Sequence, residues 1–369
     1  MKKICLMSGA VVNAGDFLIE KRALELIKHF IPNSETTVLK RVGVDYSNRI
    51  DELNRFNAIF FAGGPLFQPG LFNHSLPFVN PQLIDKIKTP IFFVGGGLHR
   101  DFYYCKFSET DRILFDKGLH KTVPIGCRDI FTLKFLKHEG YKALLTGCPA
   151  WYDLKFVEQK ELKNSHPLDI HKIRVSEPAK KINVPLFMDL LLHLRKKYPD
   201  AEILIVNHRE LKNDIVSKLS ELKNKYNIGF INIAGSADGF KIYDDCDLHV
   251  GFRVHAHIYN LSKRNFTILF NEDIRGMGVN QTLGLGNINV DNPTPTFRKR
   301  RIFGRFYLIL YNKSQYTSHN VAGWMFDDYL NDTIEQNFVN YKNAFQNMIM
   351  YFQNMIVFFE SVNDLICNK

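Results

Sequence analysis

Residues 248–263 read LHVGFRVHAHIYNLSK. Val250, Phe252, Val254 and Ile258 have the character of buried core, and the segment passes from a short apolar run into a helical one. A strand that ends where a helix opens is half of a βα unit, the building block of a parallel sheet with helices on its faces. Set into this pattern are Arg253, His255 and His257. A guanidinium among apolar neighbours is costly unless a carboxylate or an anionic ligand satisfies it. In open α/β sheets ligands gather beyond the carboxyl ends of the strands, and Arg253 and His255 stand at such an end. A lone histidine is more often a satisfied core residue. An Arg-x-His pair at a strand end favours a functional reading.

Working outward, the same alternation runs through most of the chain. Strands are expected at Lys3–Met7, Ala58–Phe61, Ile91–Val94, Val123–Cys127 and Ala143–Leu145, with helices such as Phe17–Phe30 and Ile130–Glu139 between them. The chain turns polar over EQKELKNSHP, residues 158–167, and the pattern restarts. Strands at Lys172–Val175, Glu202–Val206, Phe230–Ile233, Asp247–Val250 and Thr267–Phe270 then accompany a helix at Val184–Lys197. The expectation is an α/β fold of two Rossmann-like domains facing a cleft, residues 1–160 and 168–329. A helical tail, 330–369, follows, packing on the domains and crossing back to the first.

Composition narrows the class. At 45% hydrophobic and 23% charged, 369 residues make an ordinary globular protein of about two domains. The six cysteines are scattered with no CxxC pair, against a zinc ribbon or a thioredoxin-like site. The apolar run after Met1 is too short for a signal peptide, and no stretch reaches the ~18 apolar residues of a membrane span. The expectation is a cytoplasmic protein. Its net charge of +10 suits anionic partners. Part of that excess lies in Arg298–Arg301 and Arg305, beside Phe303, Phe306 and Tyr307, a candidate peripheral contact with an anionic membrane face. No nucleic-acid-binding motif is present, so nucleic acid is not expected as a partner.

Four glycine-bearing segments follow expected strands: Ser8–Asp16, Ala62–Pro65, Gly95–Arg100 and Gly126–Asp129. Singly each reads as a tight turn; together they suggest a cleft wall where backbone N–H groups approach a ligand. None is a GxGxxG fingerprint or a P-loop. Arg128 precedes a helix capped by Asp129 and pairs either with that carboxylate or with a ligand. Glu272, Asp273 and Arg275 form a charged corner, part salt bridge and part ligand contact.

In this order the segments resemble the polysaccharide pyruvyltransferase family. The likeness rests on Asn13 to Asp16 (NAGD), Gly63-Gly64, Gly95–Gly97, Arg128-Asp129, Thr146–Pro149 (TGCP), Gly251–His255 (GFRVH) and Asp273–Arg275, covering about residues 4–290. Cys148 stands where the family often has Asp, a departure that bears on a catalytic role there and not on the fold. The resemblance implies a two-Rossmann, GT-B-like architecture without a required metal or cofactor. It also implies transfer of pyruvate from phosphoenolpyruvate onto a sugar, as a ketal, on a surface polysaccharide or glycan. Carried over, Arg253 and Arg128 bind the donor's phosphate and carboxylate, and His255 is the general acid or base. Asn13 and Asp16 face it from the first domain and hold sugar hydroxyls of a free or lipid-linked acceptor. Gly64, Gly96, Glu272 and Arg275 complete the expected substrate contacts.

Independently of the resemblance, guanidinium forks suit both anionic groups of phosphoenolpyruvate, and a histidine can move protons near neutral pH. Two other readings stand: a GT-B glycosyltransferase using a nucleotide sugar, with Glu272 on the ribose, and a non-catalytic glycan-binding member of a polysaccharide assembly complex.

Overall fold

The structure, a computed structural model, describes residues 1–67, 81–98, 106–118, 122–164, 166–210, 224–290, 294–302, 305–313 and 320–367. Two parallel sheets organise it. In the first, β1 (Lys2–Ser8), β2 (Ser34–Lys40), β3 (Ala58–Ala62) and β5 (Ile91–Val94) lie in the order β2-β1-β3-β5. A short pair, β4 (Pro65–Phe67) with β6 (Gly97–Leu98), sits above it. A parallel pair, β7 (Ile125–Cys127) and β8 (Ala143–Leu145), continues the sheet through a bridge between Gly96 and Cys127. The second sheet holds β9 (Lys172–Ser176), β10 (Glu202–Asn207), β11 (Ile228–Asn232), β12 (Leu248–Gly251), β13 (Phe266–Asn271) and β14 (Ile288–Asn289). Its order is β11-β10-β9-β12-β13-β14, all pairs parallel, which is the doubly wound Rossmann arrangement.

The central strands expected from apolar runs are present because a parallel sheet covered on both faces buries its inner strands. All five residues of β3 and all six of β13 are buried. The helices are α1 (Ala14–Phe30), α2 (Ile50–Leu53), α3 (Glu109–Gly118), α4 (Ile130–His138), α5 (Val184–Lys197), α6 (Val254–Ser262) and α7 (Ile274–Leu283). Helix α1 shows the local logic: Leu18, Ile19, Ala23, Leu26 and Ile27 bury one stripe at helical spacing, with Asp16 in the first turn and Lys28 and His29 in the last, complementing the dipole.

The helical tail begins at Val321, earlier than the expected 330, and is two helices, α8 (Val321–Glu335) and α9 (Val339–Cys367). Asn337 and Phe338, at φ 48° and 58°, break it. Helix α9 spans both sheets. Its Tyr341 hydroxyl donates to Thr267 O of β13 at 2.5 Å, Asn354 Nδ2 to Leu145 O of β8 at 2.9 Å, and Asn363 Nδ2 to Phe30 O at 2.8 Å. Phe359 stacks on Phe30 with ring centroids 4.7 Å apart. Among the described residues no helix is long and apolar enough to cross a membrane.

The basic run falls on an unexpected antiparallel hairpin, β15 (Thr294–Ile302) with β16 (Arg305–Lys313), in which Arg300 lies opposite Tyr307. The side chains of this hairpin, and residues His99, Arg100 and Phe303, lie outside the described residues, so the membrane contact rests on the sequence alone.

Candidate functional site

Two pockets occupy the points where strand order reverses, the places where the backbone connections of neighbouring strands diverge and leave a crevice. The larger, of about 420 Å³, opens over β9 and β12 and is lined by Asn13, His208, Arg209, Arg253, His255, Glu272, Asp273 and Arg275. A smaller one, of about 270 Å³, opens over β1 and β3 and is lined by Ser8, Gly9, Asp16, Glu20, Arg41 and Gly64. They adjoin through Asn13, whose Nδ2 donates to Asp16 Oδ2 at 3.1 Å.

The two histidines of the opening motif part company. The strand ends at Gly251 and α6 begins at Val254, so Arg253 is the N-cap residue and His255 lies in the first turn. Gly251, at φ 150°, sits so close to Ser176 that a Cβ would come within 2.4 Å of its carbonyl oxygen, which only glycine tolerates. His257 turns inward: Nδ1 is 2.9 Å from Thr267 Oγ1 and Nε2 3.0 Å from Asn280 Oδ1, a satisfied core histidine. His255 turns the other way, against α1. A Cβ on Gly15 would lie 2.0 Å from its Nδ1, so the glycine of the NAGD segment is the seat for the imidazole across the cleft. Burial, and then the charges of Arg275, Arg128, Arg253 and Arg209, hold the His255 pKa down to about 3. The imidazole is therefore neutral at pH 7, inside a field of four guanidinium groups.

Each of the expected arginines has a carboxylate anchor. Arg253 is buried, its Nε donating to Glu177 Oε1 at 2.9 Å and its Nη2 to the same oxygen. Arg275 grips Asp273 with Nε and Nη2, at 3.0 and 2.6 Å, while Asp273 caps α7 by accepting from Arg275 N. Arg128 Nε donates to Asp129 Oδ2 at 3.0 Å, and Asp129 Oδ1 caps α4 through Thr132 N. The Arg128 guanidinium packs against Gly97, where a Cβ would meet it at 2.3 Å. Across the cleft, Ile130 N donates to Thr282 Oγ1 of α7 at 2.9 Å, tying the Arg128 turn to the helix that carries Arg275.

Other expected contacts fall differently. Glu272 is buried and accepts from Ala179 N, Lys180 N and Asn183 Nδ2 at 2.7, 3.0 and 2.8 Å, so its carboxylate holds the 179–183 wall of the pocket. Burial raises its pKa against those bonds. Asn13, Asp16 and Gly64 line the adjoining pockets, and burial holds the Asp16 carboxyl up against Asn13 and the charges of Arg41, Arg275 and Arg209. Gly96 lines neither: it packs on Leu66 and Phe67, and its carbonyl accepts from Arg128 N at 2.8 Å. Cys148 is buried next to Gly63, its thiol pushed up to about 11 by burial. Arg41, Glu177, His208 and Arg209 are not among the expected residues. Each lies just beyond a parallel strand, β2, β9 or β10, at its carboxyl end. Among the described residues no three of His, Cys, Asp or Glu gather to hold a metal ion.

Two solved structures share this fold at low identity. UDP-GlcNAc 2-epimerase from Neisseria meningitidis, bound to UDP-GlcNAc, is 13% identical over 99% of this chain and 100% of its own, with a TM-score of 0.57. The S. aureus MnaA–UDP co-structure is 14% identical over 93% and 91%, with a TM-score of 0.56. At such identities the likeness bears on the fold, the two-sheet GT-B arrangement. No curated protein matches the chain. The family model for polysaccharide pyruvyl transferase matches residues 13–259, from the asparagine beside Asp16 through Arg128, Arg253 and His255, which is more than half of the sequence. The chain belongs to the polysaccharide pyruvyl transferase family.

Proposed function

We propose that the protein moves pyruvate from phosphoenolpyruvate onto two hydroxyls of a sugar, free or lipid-linked, as a ketal. The observation that carries this reading is His255 packed against Gly15 in the pocket that Arg209, Arg253 and Arg275 line, with the charge of Arg128 also acting on it. A carboxylate and a phosphate on one three-carbon unit neutralise such a field, and guanidinium groups suit both. In the reaction the methylene carbon gains a proton and the adjacent carbon becomes electrophilic. One sugar hydroxyl adds to it, a second displaces phosphate, and each hydroxyl gives up its proton. In this reading His255 delivers or collects those protons. The adjoining pocket of Asp16, Arg41 and Gly64 is the acceptor side.

A second reading, a nucleotide-sugar donor, draws on the UDP and UDP-GlcNAc bound by the two solved structures. Against it, Glu272, the acidic residue such a donor would require for ribose, already accepts three N–H donors. Thermal unfolding with phosphoenolpyruvate, UDP-sugars and GDP-sugars tests both. A ligand at a hundredfold excess over its Kd adds about 2.7 kcal/mol, and we expect stabilisation by phosphoenolpyruvate alone. Stabilisation by a nucleotide sugar alone would replace the donor. A response to none of them, with binding to glycans, would make the protein a non-catalytic member of an assembly complex.

Arginines, not a metal, neutralise the donor in this reading. Activity is therefore expected to persist in EDTA, measured as phosphate release from phosphoenolpyruvate. Loss in chelator with recovery in Mg²⁺ or Mn²⁺ would contradict it.

A further inference from the structure

Behind the cleft lies a chain of buried polar groups that touches no pocket wall except at its end. Asn280 of α7 donates through Nδ2 to Gly286 O at 2.9 Å, which turns its Oδ1 toward His257 Nε2, 3.0 Å away. His257 must then carry its proton on Nε2, leaving Nδ1 to accept from the Thr267 hydroxyl at 2.9 Å. Thr267 has one proton to give, so its oxygen accepts from His249 Nδ1 at 2.7 Å. His249 Nε2 is left bare and accepts from the Ser176 hydroxyl at 3.0 Å. Ser176 Oγ in turn accepts from Arg253 N at 3.1 Å. Every donor and acceptor is used once, and the direction is the same throughout.

The register explains the alignment. His249 pairs with Thr267 and Gly251 with Ser176, so three adjacent strands bring the groups into line beneath α6. From outside the sheet, Tyr341 of α9 fixes the middle of the line through its bond to Thr267 O. Ser176, His249, His257, Thr267 and Asn280 are all buried.

We propose that these five residues form a one-directional hydrogen-bond relay that positions the Arg253–His255 turn of α6 and the Arg275-bearing α7 relative to one another for an anionic ligand. The proposal rests on the donor reading above for the ligand's identity, and on geometry alone for the relay. None of the five lines the pocket; they are positioning residues. Burial disfavours the charged form of both histidines, and the hydrogen-bond partners on each ring select its neutral tautomer.

The test uses the full chain, with phosphoenolpyruvate and inorganic phosphate as probes. Histidine ¹⁵N spectra of the parent should show His249 protonated on Nδ1 and His257 on Nε2. Thr267→Val keeps the shape and removes both hydroxyl bonds. It should scramble those tautomers and weaken binding of both probes by about tenfold, the scale of a lost neutral hydrogen bond. Thr267→Ser, which restores the hydroxyl, should recover both. A parent with the opposite tautomers overturns the relay. So does a folded Thr267→Val that binds both anions as the parent does, or a Thr267→Ser that recovers neither. Should the parent bind phosphate but not phosphoenolpyruvate, the donor reading falls while the phosphate comparison still decides the relay. Binding of neither probe by the parent overturns both.

Discussion

His255→Gln should lower the single-turnover rate at saturating phosphoenolpyruvate by about 10²–10⁴-fold, the usual worth of general acid–base catalysis, with little change in donor affinity above the pH range in which the histidine takes up a proton. The substitution keeps size and polarity and removes the proton. The structure adds a pH dependence to this expectation. Free His255 has a pKa of about 3, depressed by burial and by the surrounding arginines. A bound carboxylate and phosphate offset the arginines' share of that depression, though not the larger share from burial. The expectation is a partly raised pKa in the complex, with proton uptake on binding at pH values between the two. Between the raised and the free value, the complex holds a proton that the free protein does not. Donor affinity should accordingly strengthen as pH falls through the raised value. His255→Gln lacks that proton while the ligand's own ionisation is unchanged, so the difference between the two titrations isolates the histidine. A rate within a few-fold of the parent, or identical titrations, would reduce His255 to packing against Gly15.

Arg253→Ala should cost stability and affinity through separable causes. The Arg253 guanidinium donates two bonds to Glu177 Oε1, and Glu177 Oε2 is buried without a hydrogen-bond partner among the described residues. Removing the arginine leaves that carboxylate without its charge partner and with only the His208 N bond to Oε1, at 3.0 Å, and breaking a buried pair in this way typically costs about 3–5 kcal/mol. Burial already holds the Glu177 pKa up, so proton uptake relieves part of the loss. Arg253→Ala with Glu177→Gln should regain most of the stability in chemical denaturation. It should not regain phosphoenolpyruvate binding, which loses a charge-assisted contact of about 1.5–3 kcal/mol. If the double variant recovers both, Arg253 serves only to neutralise Glu177.

What the sequence made legible follows from which residues the sheets bury. Runs such as Ala58–Ala62 and Phe266–Asn271 lie in strands covered on both faces, so their apolar character is continuous and easily read. Strand β2 (SETTVLK) is an edge strand with Glu35, Thr37, Val38 and Lys40 exposed, and its polar composition concealed it. Arg41, directly beyond it, was concealed too. Glu177 and Arg209 were within reach: both follow strands that the pattern marked, at the ends where ligands gather, but neither belongs to a glycine-bearing turn or an Arg-x-His pair. The opposite fates of His255 and His257 depend on α6 starting at Val254, which a sequence pattern locates only to within a few residues. The saturation of Glu272 by the 179–183 backbone and the partnership of His249 with Thr267 are non-local. They come from pairing across strands that no local window contains.

Helix α9 has a consequence for how the protein is made. Phe60 of the first sheet and Phe30, at the end of α1, find their cover in Phe359. At about 5–20 residues per second, the ribosome finishes Phe359 roughly 15–65 s after Phe30. During that interval the nascent first unit can pair its strands, yet it carries a bare aromatic surface of the kind that chaperones recognise and that drives aggregation. The closing strap also bonds to β13 and β8, so it docks only once both units are in place. Translation speed across the second unit, and chaperone supply meanwhile, thereby become determinants of yield, felt most at elevated temperature or on strong overexpression.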